Sequence, residues 1–269
     1  MIPCLVPPII TLTTDFGLRD AYVGVMRGVI LGIEPRARVV DISHAVEPQN
    51  ILAASFLLLS AYPYFPHDAI HVAVVDPGVG TARKPIAVRT PHGTFVGPDN
   101  GLFAPVLRRQ GKTEEDGLLD SAIEAVELVN PAYRLPETSS TFHGRDIFAP
   151  AAAYLSRGVP LSELGRSLAS IQFNSFPEPT GDSRHLVGEI VYIDHFGNAV
   201  SNISAAQVPA GAVICVGSRE IGHLAENYQA APITAVIGST GLVEIAARNA
   251  SAQAELHLHV GDPVRALLP

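Results

Sequence analysis

The order strand, helix, strand, helix, strand over the first 75 residues predicts an α/β N-terminal domain with a mostly parallel sheet. Short β-like runs after about residue 180 predict a small all-β, barrel-like C-terminal domain. Between them, residues 176–182 (FPEPTGD) gather proline, glycine and acidic side chains, the texture of a linker. The domains of this 269-residue chain are accordingly read as 1–180 and 181–269. A chain of this length can bury roughly 75% of its unfolded surface, enough for a core without disulfides or metal.

The elements follow in order. Residues 9–13 (IITLT) crowd β-branched side chains after Pro7-Pro8, a buried strand that ends at the turn Thr14-Asp15-Phe16-Gly17. Residues 21–33 place Val23, Met26, Val29, Ile30 and Ile33 on one helical face, and Pro35 stops the helix. Residues 38–42 form a second strand and residues 50–62 a mostly apolar helix. Residues 69–75 (AIHVAVV) are continuously apolar, as strands are when both faces are covered, and run into Asp76-Pro77-Gly78. Residues 86–88 and 94–96 read as a hairpin around Pro91-His92-Gly93, and residues 101–109 and 150–157 as short helices. Residues 110–117 are polar and acidic, a surface loop. The C-terminal strands are placed at 186–193, 212–216, 234–237, 242–246 and 255–260, with His257 and His259 alternating on a solvated face.

Composition narrows the function. Hydrophobic residues are 47% and charged residues 16%, which excludes a disordered chain. The net charge of −8, with no lysine- or arginine-rich run, argues against nucleic-acid and anionic-membrane partners. Cys4 and Cys215 stand far apart and beside no CxxC or histidine pair, so neither a disulfide framework nor a zinc site is indicated. The apolar start MIPCLVPPII lacks a basic n-region, and the apolar run 51–61 is too short to span a bilayer. A cytoplasmic protein is expected, with no membrane partner.

Glycine and carboxylate coincide at three strand ends, Asp15-Phe16-Gly17, Asp76-Pro77-Gly78 and Asp99-Asn100-Gly101. Ligands of open α/β sheets bind beyond the carboxyl ends of the strands, where such carboxylates meet hydroxyls, amines or metals. The same pairs also make ordinary turns. Thr141-Phe142-His143-Gly144-Arg145-Asp146 adds a histidine suited to accept a proton or orient water, or else a capped turn with a local Arg145–Asp146 pair. Asp194-His195-Phe196-Gly197-Asn198 can present a carboxylate and an amide to a polar ligand, or make only a tight turn. No GxxxxGK[ST], HExxH, GxSxG or strand-following GxGxxG is present. A metal-dependent hydrolase built on the aspartates is disfavoured because no two of them have recognised metal spacing; no metal and no cofactor are expected.

In order along the chain, TLTTDFGLRDAYVGVMRG, DISH…P, VVDPGVGTARKPIAVR, VGPDNGLF, TFHGRDIFAPAAA, IDHFGN and EIAARNAS resemble the S-adenosyl-L-methionine (SAM) hydroxide adenosyltransferase family, relatives of the SAM-dependent fluorinase and chlorinase. The resemblance runs from residue 11 to about 251. It implies a homotrimer, with substrate between the N-terminal domain of one subunit and the C-terminal domain of the next. It implies attack of water or hydroxide on C5′ of SAM, giving adenosine and L-methionine, with SAM as substrate and no cofactor. The Asp–Arg–His trio of the hydroxide-using branch falls on Asp76, Arg83 and His143. The halogenases carry Tyr in place of Asp76, and the fluorinase carries Tyr-Ser in place of His143-Gly144. By the same resemblance Asp15 meets the ribose hydroxyls, and Asp20, Asp194 and Ser239 the methionine amine. Asn198, Arg248 and Ala250 lie on the adenine side, with Phe142 and Phe196 packed about the nucleoside. The chain departs from the halogenases near Gln49, Tyr22 and Thr240. The alternatives are a SAM-dependent halogenase and a SAM- or nucleoside-binding protein with little turnover.

Overall fold

A computed structural model describes residues 6–110, 117–173 and 176–269. Cys4 and almost all of the loop expected at 110–117 lie outside the described residues. The chain divides into two compact units, 1–175 and 176–269, against the break read at about 180 from composition.

The first unit is a seven-stranded sheet in the order β2-β1-β3-β5-β4-β6-β7. Its strands are β1 (Ile9–Thr14), β2 (Arg38–Ser43), β3 (Ile70–Val74), β4 (Pro85–Thr90), β5 (Gly93–Pro98), β6 (Glu124–Glu127) and β7 (Arg166–Ser167). The neighbours β2, β1, β3 and β5 are parallel, and β4, β6 and β7 continue the sheet by antiparallel pairing. From β1 the chain passes through α1 (Tyr22–Ile33) to β2 on one side, then through α2 (Ile51–Ala61) to β3 on the other. The carboxyl ends of β1 and β3 therefore flank the point where the strand order reverses, the usual place for a ligand in such sheets. Register sets Thr14 against Val74, which puts Asp15 and Asp76 just past the same edge.

Side chains alternate across β1 and β3. Ile10, Leu12, Ile70, Val72 and Val74 join Val23, Met26 and Ile30 of α1 and the alanines of α4 (Ala149–Ser156) in one core. The odd positions Thr11 and His71 look the other way, where Phe95 stacks on His71 at 5.1 Å. Tyr62, after α2, and Phe103, before α3 (Ala104–Arg109), close on Phe95 at 5.8 and 5.9 Å. Asn50 caps α2 by accepting the Ala53 N–H at 2.9 Å. The helix read at 101–109 thus begins three residues later, after a turn at Gly101.

The second unit is a closed barrel of seven strands. Its strands are β9 (His185–Ile193), β10 (Ala199–Ser204), β11 (Val213–Val216), β12 (Arg219–Ala225), β13 (Ile233–Ile237), β14 (Leu242–Ala247) and β15 (Pro263–Leu267), and β8 (Thr180–Gly181) extends β9. Pairing of β10 with both β14 and β9 closes the ring, and Ile190, Ile203, Ile214, Val243, Ile245 and Val264 fill it. Four strands of this unit, β8, β10, β12 and β15, have no counterpart among the strands expected from the sequence. The strand expected at 255–260 is instead the end of α5 (Ala252–Leu256), followed by a turn. Ser251 caps α5 through the Ala254 N–H at 3.1 Å, and His257 ends it in the left-handed region at φ +53°. The two-residue alternation of Glu255 to Val260 was outweighed by those capping signals. His257 and His259 therefore share no strand face. Among the described residues, no helix is long and apolar enough to cross a membrane.

Two measurements test this core. Phe95→Ala should lower unfolding free energy by about 3–5 kcal/mol in urea titrations, since a fully buried ring among three aromatic neighbours cannot be replaced by collapse. Burial pushes the His71 imidazole from its ordinary 6.5 down to about 4. Its ring is then neutral in the folded chain while the unfolded chain binds a proton below pH 6.5, so stability falls as pH drops from 6.5 to about 4 and levels below that. The loss is about 3 kcal/mol, and His71→Phe should remove that part of the pH slope.

Candidate active site

At the switch point the first unit opens a cleft of ≈390 Å³ lined by Asp15, Phe16, Tyr22, Gln49, Val74, Asp76, Pro77, Val79, Thr141, Phe142, His143 and Gly144. Asp76 leaves the end of β3 into a tight loop, in which the Thr81 hydroxyl donates to Gly78 O at 2.7 Å and accepts from Arg83 N at 3.3 Å. Gly80, at φ +77°, lies so close to the Ser140 carbonyl that no Cβ would fit. That contact presses the Asp76–Arg83 loop against the loop carrying His143.

The second loop is tied down by Asp146, which is wholly buried. It accepts the Ser139 N–H at 2.8 Å and pairs with Arg145 at 2.5 Å, so the local Arg145–Asp146 pair does form. It does so alongside the cleft position of His143. His143 precedes one π-helical turn, Gly144–Phe148, which leads into α4.

Three residues far apart in sequence meet here. Arg83 Nε donates to Asp76 Oδ1 at 3.1 Å and its Nη2 to Asp76 Oδ2, and the same Nη2 donates to His143 Nδ1 at 3.0 Å. The two charged side chains are only 7% and 5% exposed. The Arg83 guanidinium also sits 5.5 Å above the Phe148 ring. Burial pushes the Asp76 carboxyl above its usual range, with Arg83 pulling against that shift. Burial and then the Arg83 charge hold the His143 imidazole below its usual range. A guanidinium can only donate, so His143 Nδ1 is the acceptor and the neutral ring carries its proton on Nε2.

Phe16, Tyr22 and Phe142 form a ring cluster with centroids 5.2 to 5.8 Å apart along the cleft. Asp15 Oδ2 accepts the Gln49 N–H at 2.8 Å. Asp20 lies on an exposed bend and does not line the cleft. Gln49 and Tyr22 had been singled out only as departures from the halogenases. Tyr22 lies six residues past Phe16, but Gln49 is 34 residues from Asp15 and meets it only in the fold, so no residue pattern marks it.

In the second unit Asp194 Oδ1 accepts the N–H groups of Phe196 and Asn198, each at 2.9 Å, while Asn198 Nδ2 donates to Asp194 Oδ2 at 2.9 Å. This leaves Phe196 projecting, 73% exposed. The Gln253 N–H donates to Gly197 O at 2.8 Å, which ties this turn to the segment after Arg248 and Ala250. Arg248, Ala250 and Ser239 are exposed at turns. The sequence reading missed Glu244 and Tyr228. Tyr228 Oη donates to the buried Glu244 Oε1 at 2.9 Å, and burial pushes the phenol up to about 12. Burial also raises the Glu244 carboxyl, and the Asp194 charge adds to the shift. Among the described residues, no three His, Cys, Asp or Glu side chains are grouped to hold a metal ion.

Comparison with known proteins bears on this geometry. Family models described as the SAM hydroxide adenosyltransferase N-terminal and C-terminal domains match residues 10–165 and 188–265. A Thermus thermophilus protein named (R)-S-adenosyl-L-methionine hydrolase is 39% identical over 94% of this chain and 97% of its own length. One of the same name from Salinispora arenicola is 36% identical over 96% and 97%. A protein named fluorinase from Actinoplanes is more distant, 28% identical over 73% of this chain and 72% of its own. A crystal structure of an uncharacterized conserved protein from Thermotoga maritima superposes with a TM-score of 0.86, at 34% identity, over 96% of this chain and 99% of that one. With two domain models matched in order around a buried Asp–Arg–His cluster, the chain belongs to the SAM hydroxide adenosyltransferase family.

Proposed function

We propose that the protein hydrolyses S-adenosyl-L-methionine to adenosine and L-methionine, and that Asp76, Arg83 and His143 carry the reaction. The observation that carries this reading is the buried Asp76–Arg83–His143 contact at the end of the cleft. The relatives' name specifies the (R) sulfonium configuration, and we take that epimer as the preferred substrate.

In this reading water oxygen bonds to C5′ while the C5′–S bond breaks in line, and the bond pair stays on sulfur as a neutral thioether. No general acid is needed. The difficulty is a weak nucleophile, and holding one water in line can supply several kcal/mol, with about 7–11 as the upper range. His143 donates from Nε2–H to the water oxygen and so orients it. Asp76 accepts the proton, helped by the burial that raises its basicity. Arg83 cannot accept a proton; it fixes both partners and stabilises hydroxide character.

Asp15 is assigned to the ribose hydroxyls, Asp20, Asp194 and Ser239 to the methionine amine, and Asn198, Arg248 and Ala250 to the adenine side. Phe142 and Phe196 pack about the nucleoside. A homotrimer, with the substrate held between neighbouring subunits, belongs to the same reading, and light scattering behind size exclusion tests it. A halogenase is the second reading. It is disfavoured at Gly144, where a side chain would press on Met26 Sδ at 3.1 Å, Phe142 at 3.2 Å and Phe16 at 3.4 Å. A serine there would need all three to give way.

The deciding experiment incubates the protein with each sulfonium epimer in ¹⁸O-water, with and without chloride and fluoride. Adenosine carrying one ¹⁸O, formed without halide, is the expected product; a 5′-halogenated adenosine would make this a halogenase. Bound but intact SAM would favour a binding protein. Asp76→Asn and His143→Ala should each cut kcat at least 10²-fold while SAM affinity, read by calorimetry, changes little. Full turnover in both would remove the catalytic assignment. Because Asp76 must be ionised to accept the proton, kcat should fall on the acid side, with its limb above the ordinary carboxylate value of about 4.

A further inference from the structure

The stretch Asp41-Ile42-Ser43-His44 has no part in the mechanism above and does not line the cleft. His44 is nevertheless buried, 5% exposed. Its Nδ1 lies 2.8 Å from Thr14 Oγ1, and that hydroxyl accepts the Phe16 N–H at 3.2 Å. Its Nε2 faces Asp41 Oδ1 at 3.1 Å, off the line of a formed hydrogen bond, and Asp41 is paired in turn with Arg27 of α1. The His44 carbonyl accepts the Gly17 N–H at 2.8 Å, with Gly17 at φ +64°. Five residues on, Gln49 takes φ +69° and donates its N–H to Asp15 Oδ2. The turn 15–17 is thus held at all three of its residues by, or through, residues 41–49.

The protons in this chain can be assigned. If His44 Nδ1 carried the proton, bare Nε2 would face a carboxylate, lone pair against charge. The reverse arrangement has Thr14 donating to Nδ1 and Nε2–H directed toward Asp41, and it leaves Thr14 Oγ1 free to accept from Phe16. Burial, and then the Arg27 charge, hold the imidazole below its usual range, which keeps the ring neutral. A threonine, histidine and aspartate in this order can activate a hydroxyl nucleophile. Thr14 is completely buried, so its oxygen meets no substrate.

We propose that Thr14, His44 and Asp41 form a positioning chain that fixes the 15–17 turn and so presents the Asp15 carboxylate to a vicinal diol, the 2′,3′-hydroxyls of a ribose. This rests on the assignment of Asp15 to the ribose made above. The chain's side chains touch no reacting atom; they act through Asp15.

The test measures binding of adenosine and 2′-deoxyadenosine by calorimetry, together with kcat and KM for SAM, in the wild-type protein, Asp15→Asn, Thr14→Val, Thr14→Ser and Asp41→Ala. The wild-type protein should prefer adenosine by about tenfold or more, and Asp15→Asn should abolish that preference. Thr14→Val keeps the shape and loses the hydroxyl. It should cut the preference at least about threefold and raise KM about tenfold with kcat changed less than about threefold, and Thr14→Ser should restore both. Asp41→Ala, at a side chain 28% exposed, should move both readouts the same way by a smaller factor and serves if Thr14→Val does not fold. Loss of the preference in Asp15→Asn with full retention in Thr14→Val and Asp41→Ala would overturn the positioning chain. An unchanged preference in Asp15→Asn would overturn the ribose assignment and the proposal with it.

Discussion

A carboxylate and a guanidinium from residues 76 and 83 share a space almost closed to solvent, and an imidazole from residue 143 completes the contact. Taking two ions out of water costs several kcal/mol each, and their attraction repays it only when the geometry is good and the remaining donors are satisfied. Much of the first unit serves those conditions. Gly80 lets two loops touch, the Phe148 face covers the guanidinium, and Asp146 pins the backbone that carries His143. Among the described residues Arg83 Nη1 is still left buried without a partner, a cost that this site carries. Ionisable groups perturbed by burial and by a specific charge partner in a cleft mark a candidate functional site.

The sheet explains why the cluster falls where it does. Parallel strands send their carboxyl ends to one edge, and the reversal of order between β1 and β3 leaves that edge uncovered between two crossover helices. Asp15 and Asp76 leave from these two strand ends, so register alone brings their backbones together. What differs is the support behind each: a buried ion pair for Asp76, and backbone N–H and carbonyl groups from residues 41–49 for the Asp15 turn. The Asp194 turn in the barrel follows a third solution. Its carboxylate is satisfied within five residues, which preorganises the loop and leaves the Phe196 ring projecting.

Much of this was legible in the sequence. The α/β order, the apolar strand 69–75 running into Asp76 and the apolar helix over 50–62 could be named from residues, and the trio Asp76, Arg83 and His143 from the resemblance. Strands β10, β12 and β15 could not. Serine and asparagine interrupt β10, and glycine and charged residues interrupt β12. Strand β15 alternates but is only five residues long and opens on a proline. Residues 255–260 misled for the opposite reason, an alternating pattern overruled by a serine cap and a left-handed histidine.

The sequence by itself determined which chemical groups exist and which strand ends carry them, since backbone periodicity and turn chemistry act over a few residues. Only the tertiary structure decided their protonation and pairing. That Arg83 donates to His143 Nδ1, leaving the proton on Nε2, depends on a contact across sixty residues. That Asp76 is made more basic while His143 is held neutral depends on how much water each loses, a property of the packed molecule and of no segment alone.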